Sequence, residues 1–176
     1  MILFLLLVVA PTGRGLIIAF DGIDSSGKAT QSRLLADRLS RFGANAVLLA
    51  TPDYSTATGR RLKQWLKDGK WNETPWPEKM ALLAANRAEN KSLILSALSQ
   101  GKIVVYDRYV ASSVAHMTVD AYPEPISDQQ RLDISNRVRD HEHKANGLPR
   151  ENLSIFLDVP PEQADKMLER RQRSRG

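Results

Sequence analysis

Short apolar runs alternate along the chain with longer stretches in which hydrophobic residues recur at helical spacing. Four runs have the length and composition of buried strands: LIIAFDG (16–22), AVLLA (46–50), IVVY (103–106) and LSIFLDV (153–159). Residues 28–42 show the helical pattern, and Gly43 is expected to end that helix. A second helix is expected near residues 58–67.

Turn and capping signals predict the remaining helices. Pro77 is positioned to begin one long helix that runs to Gly101, and a short helix follows Val110. The sequence SDQQ (127–130) has the S-x-x-Q form of a capping box and starts another helix, while the prolines at 160–161 open the last one. Strands therefore alternate with helices, which predicts an α/β protein with a parallel sheet flanked by helices.

Composition narrows the classes of function. The chain has 176 residues, of which 42% are hydrophobic, enough for one domain with a proper core. The formal net charge is +5, but no basic stripe interleaved with aromatic residues is present, so a nucleic-acid groove is not expected. The absence of cysteine excludes disulfides and cysteine-based metal sites or nucleophiles.

The first ten residues, MILFLLLVVA, form an apolar run that is too short to span a bilayer, which requires about 20 residues. No basic residue precedes the run, as a secretory signal would require. We interpret residues 1–15 as an N-terminal apolar extension: an extra strand, an unstructured arm or the product of a misassigned start codon. A short targeting segment is the alternative.

The stretch FDGIDSSGKATQ (20–31) carries the strongest chemical signal. Gly22 and Gly27 stand five apart and Lys28 follows, which is the G-x-x-x-x-G-K pattern of loops that cradle nucleotide phosphates. Because the pattern lies between a predicted strand and a predicted helix, the backbone N–H groups of residues 22–28 are expected to face phosphate oxygens at the helix N-terminus. Lys28 adds a positive charge for the β- and γ-phosphates.

One residue of the loop departs from the general pattern. Ala29 stands where such loops usually carry the Ser or Thr that binds magnesium, and Thr30 is rotated by about 100° around the helix from that position. Mg²⁺ is therefore expected to be held by the nucleotide's own phosphates and by water. This feature argues against a switch GTPase and leaves a small-molecule kinase open.

Four segments together resemble thymidylate kinases in their order and spacing: FDGIDSSGKATQ, PEKMALLAANRAE, VVYDRYVASS and FLDVPPEQADKMLERRQRSRG. The resemblance covers residues 16–176 and implies the three-layer P-loop NTPase fold, with ATP-dependent phosphorylation of dTMP to dTDP in the presence of Mg²⁺. It further implies a cytoplasmic homodimer whose ligands are small nucleotides. From the charge pattern and the short apolar run, nucleic-acid and membrane partners are not expected. The sequence ends inside an arginine-rich lid, so the kinase domain is expected to be incomplete, lacking its final edge strand.

The resemblance assigns roles to individual residues. The ATP-binding residues are expected to be Gly22, Ser25, Ser26, Gly27, Lys28, Ala29 and Thr30. The dTMP-binding residues are expected to be Asp24, Tyr54, Leu83, Arg87, Arg108, Ser112, Ser113 and His116. The catalytic residues are expected to be Lys28, Asp107, Arg108, Arg170 and Arg173, with Asp107 contacting Mg²⁺ through water. Arginine suits the acceptor phosphate because its planar fork binds phosphate in a bidentate way and stays charged.

Two positions differ from the family's usual residues. Leu83 stands where a phenylalanine normally stacks on the base, and His116 replaces an aromatic residue near the sugar. Asp53, beside Tyr54, would repel a phosphate and is expected to point away from it. Another (deoxy)nucleoside or nucleoside monophosphate kinase and a non-catalytic nucleotide-binding fragment therefore remain as alternatives.

Overall fold

A computed structural model describes residues 14–173. The apolar run 1–10 and Arg175, which belongs to the predicted lid, lie outside that range. Within it the elements, in chain order, are β1 (Leu16–Gly22), α1 (Lys28–Arg41), β2 (Ala46–Ala50), α2 (Ala57–Lys67), α3 (Lys70–Glu73), α4 (Trp76–Glu89), α5 (Lys91–Ser99), β3 (Ile103–Asp107), α6 (Val110–Ala121), α7 (Asp128–Arg139), β4 (Leu153–Leu157) and α8 (Pro161–Arg173). A π-helical segment, Asp140–Ala145, follows α7 directly.

The strands form one four-stranded sheet in the order β2-β3-β1-β4. Strand β1 runs parallel to both β3 and β4, with Phe20 opposite Asp107 and Gly22 opposite Leu157. The carboxyl ends of these three strands therefore lie at one edge of the sheet, where open α/β sheets bind ligands. The predicted α/β class with a parallel sheet is confirmed.

The described residues form two compact units. The first, here called the sheet unit, comprises 14–49, 97–107 and 151–173, and the second, the helical unit, comprises 50–96 and 108–150. The sheet unit has a core in which β1, α1 and β3 contribute buried apolar side chains: Leu16, Ile18, Phe20, Ala36, Leu39 and Val105. Leu82, Ile94, Tyr109, Met117, Ile134 and Val138 are among the buried side chains of the helical unit.

Several element boundaries differ from the expectation. The long helix expected from Pro77 to Gly101 is two helices, because it breaks at Asn90, whose backbone has φ −90° and ψ 0°. The side chain of Asn90 bonds the carboxylate of Asp53 (3.3 Å), so tertiary contact competes with helix continuation there. The last strand ends at Leu157 instead of residue 159, because the amide of Val159 turns back to the Leu157 carbonyl (3.1 Å).

The capping box is confirmed, and two short elements were not predicted. Ser127 Oγ accepts from the Gln130 amide while the Gln130 side chain accepts from the Ser127 amide. Neither helix α3 nor the π-helical segment had a signal in the periodicity of the sequence. Of the helices within residues 14–173, none combines the length and apolar character needed to cross a membrane.

Candidate active site

The glycine loop joins β1 to α1 through left-handed backbone conformations. Gly22, Ser25 and Gly27 have φ of 146°, 60° and 92°. A Cβ placed on Gly22 would lie 2.7 Å from the Leu157 carbonyl oxygen and 2.9 Å from Ser26 Oγ, so no side chain fits there. The loop therefore needs glycine at its first position both for its conformation and for its packing against β4.

Lys28 is folded back over this loop. Lys28 is only 5% exposed, and its Nζ donates hydrogen bonds to the Ile23 carbonyl and to Ser26 Oγ, the latter at 3.3 Å. The helical ladder of α1 starts at Gly27, whose carbonyl accepts from the amides of Thr30 (3.0 Å) and Gln31 (2.9 Å). The backbone amides that come before Thr30 in the first turn lie outside these helical hydrogen bonds. Together with the ammonium group of Lys28 they form a positively charged site that fits a nucleotide phosphate.

Ala29 and Thr30 are exposed in the first turn of α1, and Asp24 is exposed in the loop. Asp107 ends β3 opposite Phe20, so it lies at the same edge of the sheet as the loop. Within residues 14–173 no group of three or more His, Asp or Glu side chains gathers to hold a metal ion. Asp107 at this edge fits Mg²⁺ that keeps most of its water and binds mainly to phosphates.

The predicted lid arginines are on α8, which passes beside the glycine loop. A Cβ on Gly27 would lie 3.7 Å from the Met167 methyl group, so this face of α8 approaches the loop. Arg170 and Arg171 follow Met167 by three and four residues and therefore share its side of the helix. Arg173 lies further round, where it is exposed and 3.8 Å from Glu169. Arg171 had no role assigned from the sequence, yet it lies on the same side of α8 as Arg170, the side that approaches the glycine loop.

Arg108 follows β3 directly and has a left-handed backbone with φ 64°. Outside glycine this conformation costs about 1–3 kcal/mol and concentrates at functional sites. Arg108 is half-buried. In α6, which begins two residues later, Ser112 is half-buried, Ser113 is buried and His116 is exposed.

Arg87 is the most deeply buried of the predicted ligand-binding cations, at 1% exposure. Its Nη1 bonds Glu142 Oε1, and its Nη2 donates to the Tyr109 carbonyl (3.2 Å) and to Ser113 Oγ (3.0 Å). The structure thus brings together two predicted dTMP-binding residues, Arg87 and Ser113. Leu83, one turn earlier on α4, is also buried. Glu142 was missed from the sequence, because nothing in its local pattern distinguishes it from a surface acid.

Asn86, the residue before Arg87, holds the loop that carries Tyr54. It is 0% exposed, accepts from the Asp53 amide (2.8 Å) and donates to the Asp53 carbonyl (3.1 Å) and to Thr56 Oγ1 (2.8 Å). Glu89 on the same helix accepts from the amide and hydroxyl of Thr58 (3.2 and 2.8 Å). Asn86 had no assigned role from the sequence, although its place beside Arg87 in the A-N-R segment was a signal.

The side chain of Asp53 turns back onto its own loop. Its carboxylate accepts from the amide (3.0 Å) and hydroxyl (2.6 Å) of Ser55, and from Asn90 Nδ2 (3.3 Å). These hydrogen bonds, that of the Ser55 hydroxyl first, lower the pKa of Asp53 against the opposing effect of burial. Tyr54 beside it is exposed by 43%.

Comparison with known proteins decides the family. The sequence model of the family described as "Thymidylate kinase" matches residues 20–175. This chain belongs to the thymidylate kinase family. The predicted family and the P-loop NTPase α/β fold are thereby confirmed. The roles of individual site residues remain predictions.

Two relatives, one from Pyrococcus abyssi and one from human, are described as thymidylate kinases. A probable thymidylate kinase of Pyrococcus abyssi is 33% identical over 169 residues, 93% of this chain and 72% of that relative. The human thymidylate kinase is 41% identical over 102 residues, 58% of this chain and 47% of the human protein. The chain therefore spans about half to three quarters of the length of these two relatives.

Solved structures of family members superpose well. Thymidylate kinase from Candida albicans, described as having broad substrate specificity, has a TM-score of 0.68 at 28% identity, covering 87% of this chain and 67% of that one. The enzyme from Ehrlichia chaffeensis has a TM-score of 0.61 at 26% identity, covering 88% and 77%.

Proposed function

We propose that the intact protein transfers the γ-phosphoryl group of ATP to dTMP, giving ADP and dTDP, in the cytoplasm and as a homodimer. The observation that carries this proposal is the glycine loop with Lys28 folded over it, in a chain of the thymidylate kinase family. A phosphate oxygen of dTMP attacks the γ-phosphorus, and the bond from that phosphorus to the β-phosphate oxygen breaks. The attacking oxygen is already anionic, so no proton needs to be removed.

The donor half of this reaction is assigned to the sheet unit. The ammonium of Lys28 exchanges its contacts with the Ile23 carbonyl and Ser26 for phosphate oxygens, which neutralises charge as the phosphoryl group moves. Asp107 would hold water on Mg²⁺, and this ion supplies further charge neutralisation when bound. Arg170, with Arg171 beside it, is assigned to the transition state because both share the helix side that faces the loop.

The acceptor half is assigned mainly to the helical unit, with Asp24 of the sheet unit as the exception. Arg108 and the hydroxyl of Tyr54 are assigned to the phosphate of dTMP, since phosphoryl transfer depends on positioning two anions that repel each other. Arg87 and Ser113 are assigned to the edge of the base, and Leu83 to its face. The remaining assignments are Asp24 to the sugar hydroxyl, and Ser112 and His116 to the base and sugar.

A second candidate is a kinase that accepts several monophosphates. Leu83 offers dispersion but no aromatic stacking, which is worth about 1–3 kcal/mol per base. A base held this way is discriminated less sharply, and the Candida albicans relative is described as having broad substrate specificity.

A coupled assay of ADP release over dTMP, dUMP, dGMP, dCMP and thymidine tests both candidates. We expect the highest kcat/KM with dTMP; comparable values for other monophosphates would favour the broader kinase. Lys28→Met should abolish turnover, whereas Lys63→Met, which removes an exposed lysine of α2, should not. ATP binding without turnover on any acceptor would refute the kinase and favour a nucleotide-binding module.

A further inference from the structure

The ion pair between Arg87 and Glu142 is enclosed within the helical unit. The two side chains are each 1% exposed, and they come from α4 and the π-helical segment, 55 residues apart. Glu142 Oε2 has no hydrogen-bond partner among the residues that the structure describes. The contact that the structure shows for the Glu142 carboxylate is therefore its ion pair with the Arg87 guanidinium.

Stability alone gives a weak reason for such a pair. Removing two charges from water costs several kcal/mol per ion, and well-packed apolar replacements for buried pairs are often neutral or stabilising. A buried pair is better justified where it holds a group in one orientation. The irregular backbone around Glu142 supports this, since π-helical turns occur frequently at functional sites.

The contacts of Arg87 leave its guanidinium little freedom. Glu142 binds Nη1, the Tyr109 carbonyl and Ser113 Oγ bind Nη2, and the Tyr109 ring centre lies 5.5 Å from the guanidinium carbon. Because Ser113 Oγ accepts from Arg87, its own proton points elsewhere and is available as a donor. Glu142 thus orients Arg87 directly and Ser113 through Arg87.

We propose that Glu142 is a positioning residue for recognition of the nucleobase, acting through its ion pair with Arg87. This inference rests on the proposed function, in which Arg87 and Ser113 face the base. Replacing Glu142 leaves the guanidinium in place but removes the charge that sets its angle. Binding of the monophosphate then weakens while binding of ATP at the glycine loop does not.

The test is calorimetric binding of dTMP and of ATP to the wild-type protein, Glu142→Gln, Glu142→Asp and Asp140→Asn. Asp140 lies in the same π-helical segment but is exposed, where it pairs with Lys144 at 2.9 Å, so it is a matched control for charge. For Glu142→Gln we expect the Kd for dTMP to rise at least about tenfold, the scale of losing a charge-assisted hydrogen bond, with the Kd for ATP within about twofold. Glu142→Asp should lie between it and the wild type, and Asp140→Asn should match the wild type.

Equal losses for dTMP and ATP, or an unchanged Kd for dTMP in folded Glu142→Gln, would overturn the inference and indicate a merely structural pair. If Glu142→Gln does not fold, as judged by circular dichroism, Glu142→Asp decides by the same criterion. A wild-type protein that binds no dTMP would instead overturn the proposed function, and the inference with it.

Discussion

Replacing Gly59 with alanine should displace the loop that carries Tyr54. Gly59 lies in the first turn of α2, and a Cβ there would stand 1.7 Å from the Asp53 carbonyl oxygen, 2.6 Å from its carbon and 2.9 Å from Tyr54 Cα. All three are backbone atoms, so no rotamer change relieves the overlap. The loop would have to retreat by about 1.5–2 Å to reach an ordinary contact distance.

The two opposing energies can be compared. Alanine gains at most about 1 kcal/mol over glycine in helix propensity. Overpacking costs about 1–3 kcal/mol, and the retreat also stretches the bonds from Asn86 to the Asp53 amide and carbonyl, now 2.8 and 3.1 Å. The cost of the overlap exceeds the gain in helix propensity, and we expect a net stability loss of about 1–2 kcal/mol. A displacement above 1 Å at Tyr54 should lower kcat/KM for dTMP by up to about 100-fold.

Gly69→Ala is the matched control. Gly69 precedes α3 with φ 75° and has nothing within 4 Å of an added Cβ, so alanine costs about 1–2 kcal/mol of backbone strain without moving the loop. Urea unfolding and steady-state kinetics on both variants separate the effects. An unchanged KM for dTMP in folded Gly59→Ala, or an equal rise in Gly69→Ala, would refute the reasoning.

Other changes test further contacts. Arg108→Gly should be more stable than Arg108→Ala by about 1 kcal/mol in urea unfolding, because glycine tolerates φ 64°, while both bind dTMP weakly in calorimetry. Gly22→Ala should lose ATP binding in the same assay, since its Cβ meets the Leu157 carbonyl at 2.7 Å. The lowered pKa of Asp53, caused first by the Ser55 hydroxyl, predicts stability that is present above about pH 4 and lost as the pH falls through the folded pKa. Asp53→Asn keeps hydrogen-bonding capacity but does not titrate, so the fall in melting temperature at low pH should be smaller than in the wild type. An equal fall in both proteins would contradict this.

Local patterns were sufficient for much of the fold and for locating the glycine loop. The strands at 16–22 and 46–50 follow from apolar runs, and the start of α7 from its capping box at Ser127. The glycine loop from Gly22 to Lys28 was readable because its chemistry lies in consecutive residues. Family membership could likewise be predicted, since its motifs are short segments in a fixed order.

The polar contacts of the helical unit depended on tertiary structure. The partners Arg87 and Glu142 are 55 residues apart and Asn86 and Asp53 are 33 apart, so neither pair leaves a periodic or local signal. The close approach at Gly59 and the break between α4 and α5 at Asn90 arise in the same way. In both cases the loop that carries Asp53 is packed against a helix. What the sequence alone determined were features whose interacting groups are neighbours along the chain. Only packing decided which buried polar groups meet, because an uncompensated buried charge or amide is costly and its partner can come from any segment that the fold brings within reach.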